Sequence, residues 1–250
     1  MPFTAAHPAI ILPLLKAKRQ WLSTTGLVIG SMAPDFEYFL RLRRHSDISH
    51  TLPGLLFFDL PIAFLLAVLF HGLVREHVVD KLPLWLKRRA LPYQHLNWFN
   101  YLRRHWFIFC TSALLGAATH IFWDSFTHTS GFFVEQFPVL LYRVSFLGLK
   151  FPLCRLIQHI STVLGLLLIL LYVLKLPAVP LPKPEAQKNT WWKFWLKIFL
   201  SGCGFLVLNV LVRAHLHISL YMLGYLVPTL ISGWLLALLF ISSAAKRAAK

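Results

Sequence analysis

Acidic residues are scarce in this chain: nine aspartates and glutamates stand against 25 lysines and arginines in 250 residues. Charged residues of both signs make up only 14% of the composition, while 57% is hydrophobic. That balance excludes an ordinary soluble domain. Cysteine is nearly missing too. Cys110, Cys154 and Cys203 stand singly in apolar surroundings with no CxxC spacing, which argues against a disulfide scaffold or a thiolate metal framework. They read as small packing residues. No HExxH motif and no internal repeat is present. No aromatic–basic RNA motif accompanies the formal charge of +16, so nucleic acid is not an expected partner. A cleavable signal peptide is also not expected. The basic residues Lys16, Lys18 and Arg19 follow the apolar part of Met1–Leu15 instead of preceding it, so the first span is expected to act as an uncleaved signal.

What is present is length of apolar sequence. A hydrocarbon core about 30 Å thick needs roughly 20 apolar residues in a helix. Five stretches qualify: Leu55–Val74, His105–Trp123, Gln158–Leu174, Phe194–Val212 and Ser219–Phe240. In lipid each backbone N–H and C=O must be satisfied internally, and the runs lack period-two alternation, so they are helices rather than barrel strands. The expected fold is an all-α, polytopic membrane bundle of about five transmembrane helices. Its partner is the lipid bilayer, and nothing in the sequence indicates an oligomeric state.

The first 54 residues read as a cap of short helices. Pro8 suits the first turn of a helix running to about Arg19. Ser23–Met32 is apolar and rich in small residues, and Ala33-Pro34 breaks it before Asp35-Phe36-Glu37-Tyr38. Two carboxylates there argue for an interfacial or re-entrant helix pair rather than a span. A proline-rich stretch with Pro177, Pro180, Pro182 and Pro184 then separates a proximal part, residues 1–175, from a distal helix pair, residues 194–250, with 176–193 as linker. Glu185 is the only acidic residue after Glu135, so the distal pair reads as structural. Threading the runs in order puts ten basic residues on the face of the N-terminal region and fourteen on the face of residues 75–104. The positive-inside rule places the second face in the cytoplasm.

The chemistry gathers on the other face. His120, Asp124 and His128 are spaced four apart, which stacks side chains about 5–6 Å apart on one side of a helix. The helix either continues through Thr127 or ends near Thr127-His128-Thr129, leaving His128 just beyond it. A carboxylate near the bilayer interior costs on the order of 2–3 kcal/mol on insertion scales, so Asp124 needs a partner. Imidazole with carboxylate suits a divalent metal, zinc first, with manganese or iron as alternatives. His7, Asp35 and His50 lie at the edges of apolar elements on the same face and complete the ligand set, with His159 as a further ligand or supporting donor. Read singly, these residues have plain roles as helix caps, surface imidazoles and packing groups. His71, His77, His95 and His105 fall on the opposite face.

The segments Met1-Pro2-Phe3-Thr4…His7-Pro8, Gly30-Ser31-Met32-Ala33-Pro34-Asp35-Phe36-Glu37-Tyr38, Ser49-His50-Thr51 and His120…Trp123-Asp124-Ser125-Phe126-Thr127-His128 resemble the bacterial membrane protein family of unknown function DUF4184. The match covers most of residues 1–170. That family looks akin to inner-membrane metal-dependent hydrolases and, more remotely, to zinc-dependent phospholipase C. The resemblance implies a multi-pass protein of the bacterial inner membrane; the positive-inside count puts its site on the extracytoplasmic side.

Two function classes follow. The first is a metal-dependent hydrolase of a lipid-like phosphoester. His7, Asp35, His50, His120, Asp124, His128 and His159 are its metal ligands, and Glu37 or Asp35 is its general base. Arg41, Arg43, Arg44 and Arg213 face the substrate phosphate. The second is a non-enzymatic transporter or scaffold, whose polar groups line a path or fix helix packing. Against it, transporters place polar groups at mid-span and show repeats. Bis-histidine haem is weaker still, because the span histidines sit near helix ends.

Overall fold

The computed structural model shows an all-α polytopic bundle with one small hairpin. It describes residues 3–16, 20–146, 148–181, 191–215 and 223–248. The expectations for Lys18, Arg19, Pro182, Pro184 and Glu185 lie outside the described residues. In chain order, a 3-10 helix Thr4–Ala9 precedes α1 (Leu12–Lys16), α2 (Thr24–Gly30), a 3-10 turn Ala33–Asp35 and α3 (Phe36–Arg41). Next come α4 (Leu52–Asp80), α5 (Leu84–Ala90), α6 (Trp98–Asp124) and α7 (Phe132–Gln136). The hairpin β1 (Arg143–Phe146) and β2 (Leu149–Pro152) leads to α8 (Leu153–Leu174), α9 (Trp191–His215) and α10 (Leu223–Ala248).

Helices α4, α6, α8, α9 and α10 are long and apolar enough to cross a membrane. They outrun the apolar stretches because helical hydrogen bonding continues into the interfacial residues. In α6 the Asn97 side chain caps the start by accepting from the N–H of Asn100 at 3.1 Å, seven residues before His105. The helix is bent at His105, whose φ of −131° and ψ of 31° depart from helical values. Helix α4 opens into a π turn over Leu55–Asp59. Pro61 explains the widening, since its ring clashes with the carbonyl four residues back and it has no N–H to donate.

Two sequence readings need correction. Residues 8–19 do not start a single helix at Pro8; that residue lies inside the 3-10 helix, and α1 is a separate short turn. Pro13 supplies the reason, because an unbroken helix would drive its ring into the carbonyl of Ala9. The segment after α6 holds the unforeseen hairpin, paired antiparallel with Val144 opposite Phe151 and turning through Gly148 at φ +77°. The break at Ala33-Pro34 is present as a 3-10 turn, and among the described residues no helix in this cap is long enough to span.

The chain divides into two compact units. One comprises Met1–Asp35, Ile48–Phe64 and Leu102–Lys175; the other comprises Phe36–Asp47, Leu65–Tyr101 and Leu176–Lys250. In the first unit α2 lies directly on α6. A β-carbon on Gly30 would sit 2.2 Å from the Ala113 carbonyl oxygen, and one on Gly116 would sit 2.4 Å from that of Leu27. The Ser23 N–H donates to Ser112 Oγ at 2.8 Å at the start of the same contact. The buried stripe of α6 is Phe109, Ser112, Ala113, Gly116, Ala117, His120 and Asp124, while Leu115, Phe122 and Trp123 point outward. The periodicity of three and four is that of one helix face.

In the second unit α9 and α10 pack through Gly202 and Gly233, whose own backbones come close enough that a β-carbon on Gly233 would lie 2.9 Å from the α-carbon of Gly202. Helix α3 joins α10 through Ser232 Oγ, which donates to the Phe39 carbonyl at 2.7 Å. The chain leaves α3 through Leu42 in a left-handed conformation, φ 51°.

Gly116→Ala must push backbone against backbone, and it is expected to destabilise the protein by about 1–3 kcal/mol. Gly204, with nothing within 4 Å of its missing β-carbon, is the control. Its alanine variant should be neutral or gain up to about 1 kcal/mol. Thermal unfolding of the two variants in detergent checks the pair.

Candidate metal centre

Four short pieces of the first unit converge on one point. The 3-10 helix Thr4–Ala9 carries His7; it rests on α8, where Gly165 leaves room for the Ala6 backbone and Thr162 Oγ1 accepts from the Phe3 N–H at 3.0 Å. The 3-10 turn Ala33–Asp35 presents Asp35 and packs against the π turn that ends in the buried Asp59. His50 stands just ahead of α4, whose first turn is capped by Thr51. His120 and Asp124 occupy the last turns of α6.

Asp35, His50, His120 and Asp124 each offer one ligand atom, all within 4.8 Å of one another. His120 Nε2 is 3.4 Å from Asp35 Oδ1 and 3.4 Å from Asp124 Oδ2. His50 Nε2 is 3.9 Å and 3.7 Å from the same two oxygens. These separations are too long for good hydrogen bonds. They are close to the spacing of about 3.3–3.4 Å expected between donors placed tetrahedrally around an ion about 2.0–2.1 Å away. His7 stacks on His120 with ring centroids 3.6 Å apart, and its Nε2 lies 3.6 Å from Asp124 Oδ1. Helix α6 stops at Asp124, so His128 lies beyond it; the His128 backbone N–H still donates to the Asp124 carbonyl at 3.1 Å, and its Nδ1 is 3.7 Å from Asp124 Oδ2.

The outward-facing atoms of His120, His50 and Asp35 are bonded, and several other polar atoms of the cluster are not. His120 Nδ1 lies 2.7 Å from the Ser31 carbonyl oxygen, which fixes the ring with Nε2 free for a ligand role. Ser49 Oγ is 2.8 Å from His50 Nδ1. Thr4 Oγ1 donates to Asp35 Oδ2 at 2.5 Å. By contrast His120 Nε2, Asp35 Oδ1, both carboxylate oxygens of Asp124 and both ring nitrogens of His7 are buried with no hydrogen-bond partner among the described residues. Buried polar atoms are rarely left so, and a cation is what this donor set would satisfy. The residues therefore fit a divalent ion.

Burial pushes His7 down to about 3, and neighbouring His120 acts in the same direction against the pull of Asp124 and Asp35. His7 is thus neutral near pH 7, with a lone pair to offer. Burial alone would raise Asp35, but the adjacent His120 outweighs it and holds the carboxyl below its ordinary value. Asp35 is therefore ionised, as a ligand must be.

The remaining expected residues have other company. His159 is exposed on α8. Glu37 Oε1 accepts from Arg41 Nε at 2.8 Å and from the Asp47 N–H at 2.9 Å, and Arg41 also pairs with Asp47 at 2.8 Å. Arg43 and Arg44 are exposed. Arg213 donates to Asn209 Oδ1 at 2.8 Å and lies 4.2 Å from the centre of the Tyr225 ring. The supporting groups Thr4, Ser31 and Ser49 were missed in the sequence. Their signal was proximity, each lying within four residues of a ligand candidate.

A family model described as "Domain of unknown function (DUF4184)" matches residues 1–243. The chain belongs to that family. No curated protein and no solved structure matches this DUF4184 chain. The match runs through both units and takes in every residue of the cluster.

Thr4→Val removes the donor to Asp35 while keeping the side-chain shape. Supporting partners of this kind are worth about 10–100-fold in metal affinity. The variant should bind zinc about tenfold more weakly than the parent in a competition titration with a chromophoric chelator, at an unchanged melting temperature of the metal-free protein.

Proposed function

We propose that this protein is a membrane-embedded, metal-dependent hydrolase of a lipid-like phosphoester. The observation that supports it most is the ring of inward, unpartnered imidazole and carboxylate atoms whose outer atoms are held by Ser31 and Thr4. Asp35, His50, His120 and Asp124 would hold the ion, with His7 and His128 next to it. A divalent cation bound there, zinc by the donor set, supplies a water acidified to about pKa 7 and a Lewis acid for a phosphoryl oxygen. The kinship of DUF4184 with inner-membrane metal-dependent hydrolases belongs to the same reading.

Within that reading the protein's own side chains divide the work. Thr4 and Ser31 orient two of the ligands, and the apolar stripe of α6 keeps bulk water from the buried side of the cluster. Of the two carboxylates considered as base, we assign the role to Asp35, which lies in the cluster. Glu37 is engaged instead by Arg41 Nε and by the Asp47 N–H. Hydrolysis joins the water oxygen to phosphorus and breaks one phosphoester P–O bond. A proton from the water ends on the leaving oxygen. Of the four arginines expected to face the phosphate, Arg43 and Arg44 are exposed.

Purified protein is expected to carry zinc, manganese or iron in stoichiometric amount by elemental analysis. The His120→Ala, Asp124→Ala double variant should lose it while remaining monodisperse in detergent. Phosphoester turnover should fall at least a hundredfold in chelator and return with added zinc. Metal absent from the parent protein after resupply would remove the basis for the assignment.

Orientation has its own check. In this reading the excess of basic residues on the face that carries 75–104 makes that face cytoplasmic in a bacterial inner membrane and leaves the cluster outside. A periplasm-dependent phosphatase reporter should be active when inserted after residue 148 and inactive after residue 90. The opposite pattern refutes the extracytoplasmic placement.

A further inference from the structure

The connection between α6 and α8 is built unlike a water-facing loop. It begins where one span ends, at Asp124, and finishes where the next begins, at Leu153, so both ends lie at one membrane surface. Among the described residues from 129 to 152, Val134 alone is buried. Val134 is anchored by its N–H, which donates to the Ser125 carbonyl at 3.2 Å. The rest of the apolar content faces outward: Phe132, Phe137, Val139, Leu141, Tyr142 and Leu149 are each 44–68% exposed. Phe133 stacks between two other rings, with centroids 4.2 Å from Phe126 and 6.3 Å from Phe137. An apolar surface of this extent needs a non-aqueous neighbour. Aromatic side chains and flanking cations are what suit the boundary between headgroups and acyl chains, and Arg143, Lys150 and Arg155 are all exposed along the same segment.

The same connection borders the way into the metal cluster. His7, Asp35, His120 and Asp124 have side chains no more than 5% exposed, whereas His50 and His128 reach 20% and 23%. The opening is therefore at these two histidines. His128 lies four residues before Phe132, and His50 lies two before Leu52, which is 79% exposed. Apolar surface flanks the opening on both of its sequence approaches.

We propose that the described residues of 125–152 are seated in the headgroup–acyl boundary of the leaflet facing the metal cluster, and that the cluster takes the phosphoester of a long-chain lipid from that leaflet rather than from water. The substrate half of this proposal rests on the hydrolase reading; the seating does not.

The test begins with position alone. Phe132→Cys, Phe137→Cys and Leu149→Cys are made singly in a chain whose Cys110, Cys154 and Cys203 are alanine. Each is labelled with an environment-sensitive fluorophore and reconstituted in phosphatidylcholine–phosphatidylglycerol vesicles. The expected result is blue-shifted emission, quenched several-fold more by brominated lipid than by aqueous iodide. Water-like emission with iodide dominant at all three positions overturns the seating. The second arm compares two substrates in the native-cysteine protein. The Phe132→Ser, Phe137→Ser variant should turn over phospholipid in vesicles at least tenfold more slowly, and a water-soluble short-chain phosphoester within about twofold of the parent. Equal loss on both substrates, or none on either, overturns delivery from the leaflet. A parent protein that hydrolyses neither overturns the functional reading and the lipid substrate with it, while the labels still decide the seating.

Discussion

Asp35 and Asp124 bring two carboxylates within 4.8 Å of each other in a place almost closed to water, and the first unit is arranged around that pair. Two buried anions at such a distance repel strongly and lack hydration. Stability then requires positive charge between them or protons on them. Imidazole nitrogens stand at ion-ligand spacing between the two carboxylates, and the hydrogen-bonding groups of the surroundings reach the far side of the His120 and His50 rings and of Asp35. That polarity, satisfied outside and open inside, distinguishes a ligand cage from a buried salt-bridge network.

The cage depends on a backbone contact remote from its chemistry. His120 is oriented by the carbonyl of Ser31, and Ser31 reaches it because α2 and α6 touch at Gly30, Ala113 and Gly116. Small residues at a helix crossing permit close approach in membranes, where the hydrophobic effect contributes little to helix association. One turn beyond that crossing, the same face of α6 passes from Gly116 to His120 and then to Asp124. Packing and ligand geometry are therefore consecutive parts of a single stripe. A change that separated the helices would move the Ser31 carbonyl away from the imidazole before it disturbed any ligand directly.

The second unit handles its polar groups differently. Glu37, Arg41, Asp47 and His45 form a linked ionic chain, with His45 Nε2 2.8 Å from Asp47. Arg75 donates to the Leu96 carbonyl at 2.8 Å and lies 2.9 Å from His71 Nδ1, while His71 stacks on Trp98 at 4.4 Å. Most of these polar atoms pair with one another or with backbone, although Arg75 Nε has no partner among the described residues. Histidine-rich sequence alone does not single out a cage, since His71 and His120 both lie in apolar runs and differ in what surrounds them.

Composition and run length by themselves determined that this is a helical membrane protein, because lipid leaves the backbone of a long apolar run no other partner than itself. Spacing of four determined that His120 and Asp124 share a face, since that follows from 3.6 residues per turn. The Pro34 break was legible for the same local reason. What those rules could not decide was distance across the chain. Asp35 lies 89 positions from Asp124, and only the crossing of α2 with α6 brings them together. Glu37 and Asp35 are two residues apart and looked equivalent in sequence, yet one is tied to Arg41 and the other faces the histidines. The hairpin at Arg143–Pro152 was hidden because its alternation is short. The supporting atoms were hidden for a deeper reason: Ser31 acts through its backbone carbonyl, a group every residue carries, so only tertiary packing could give it a role.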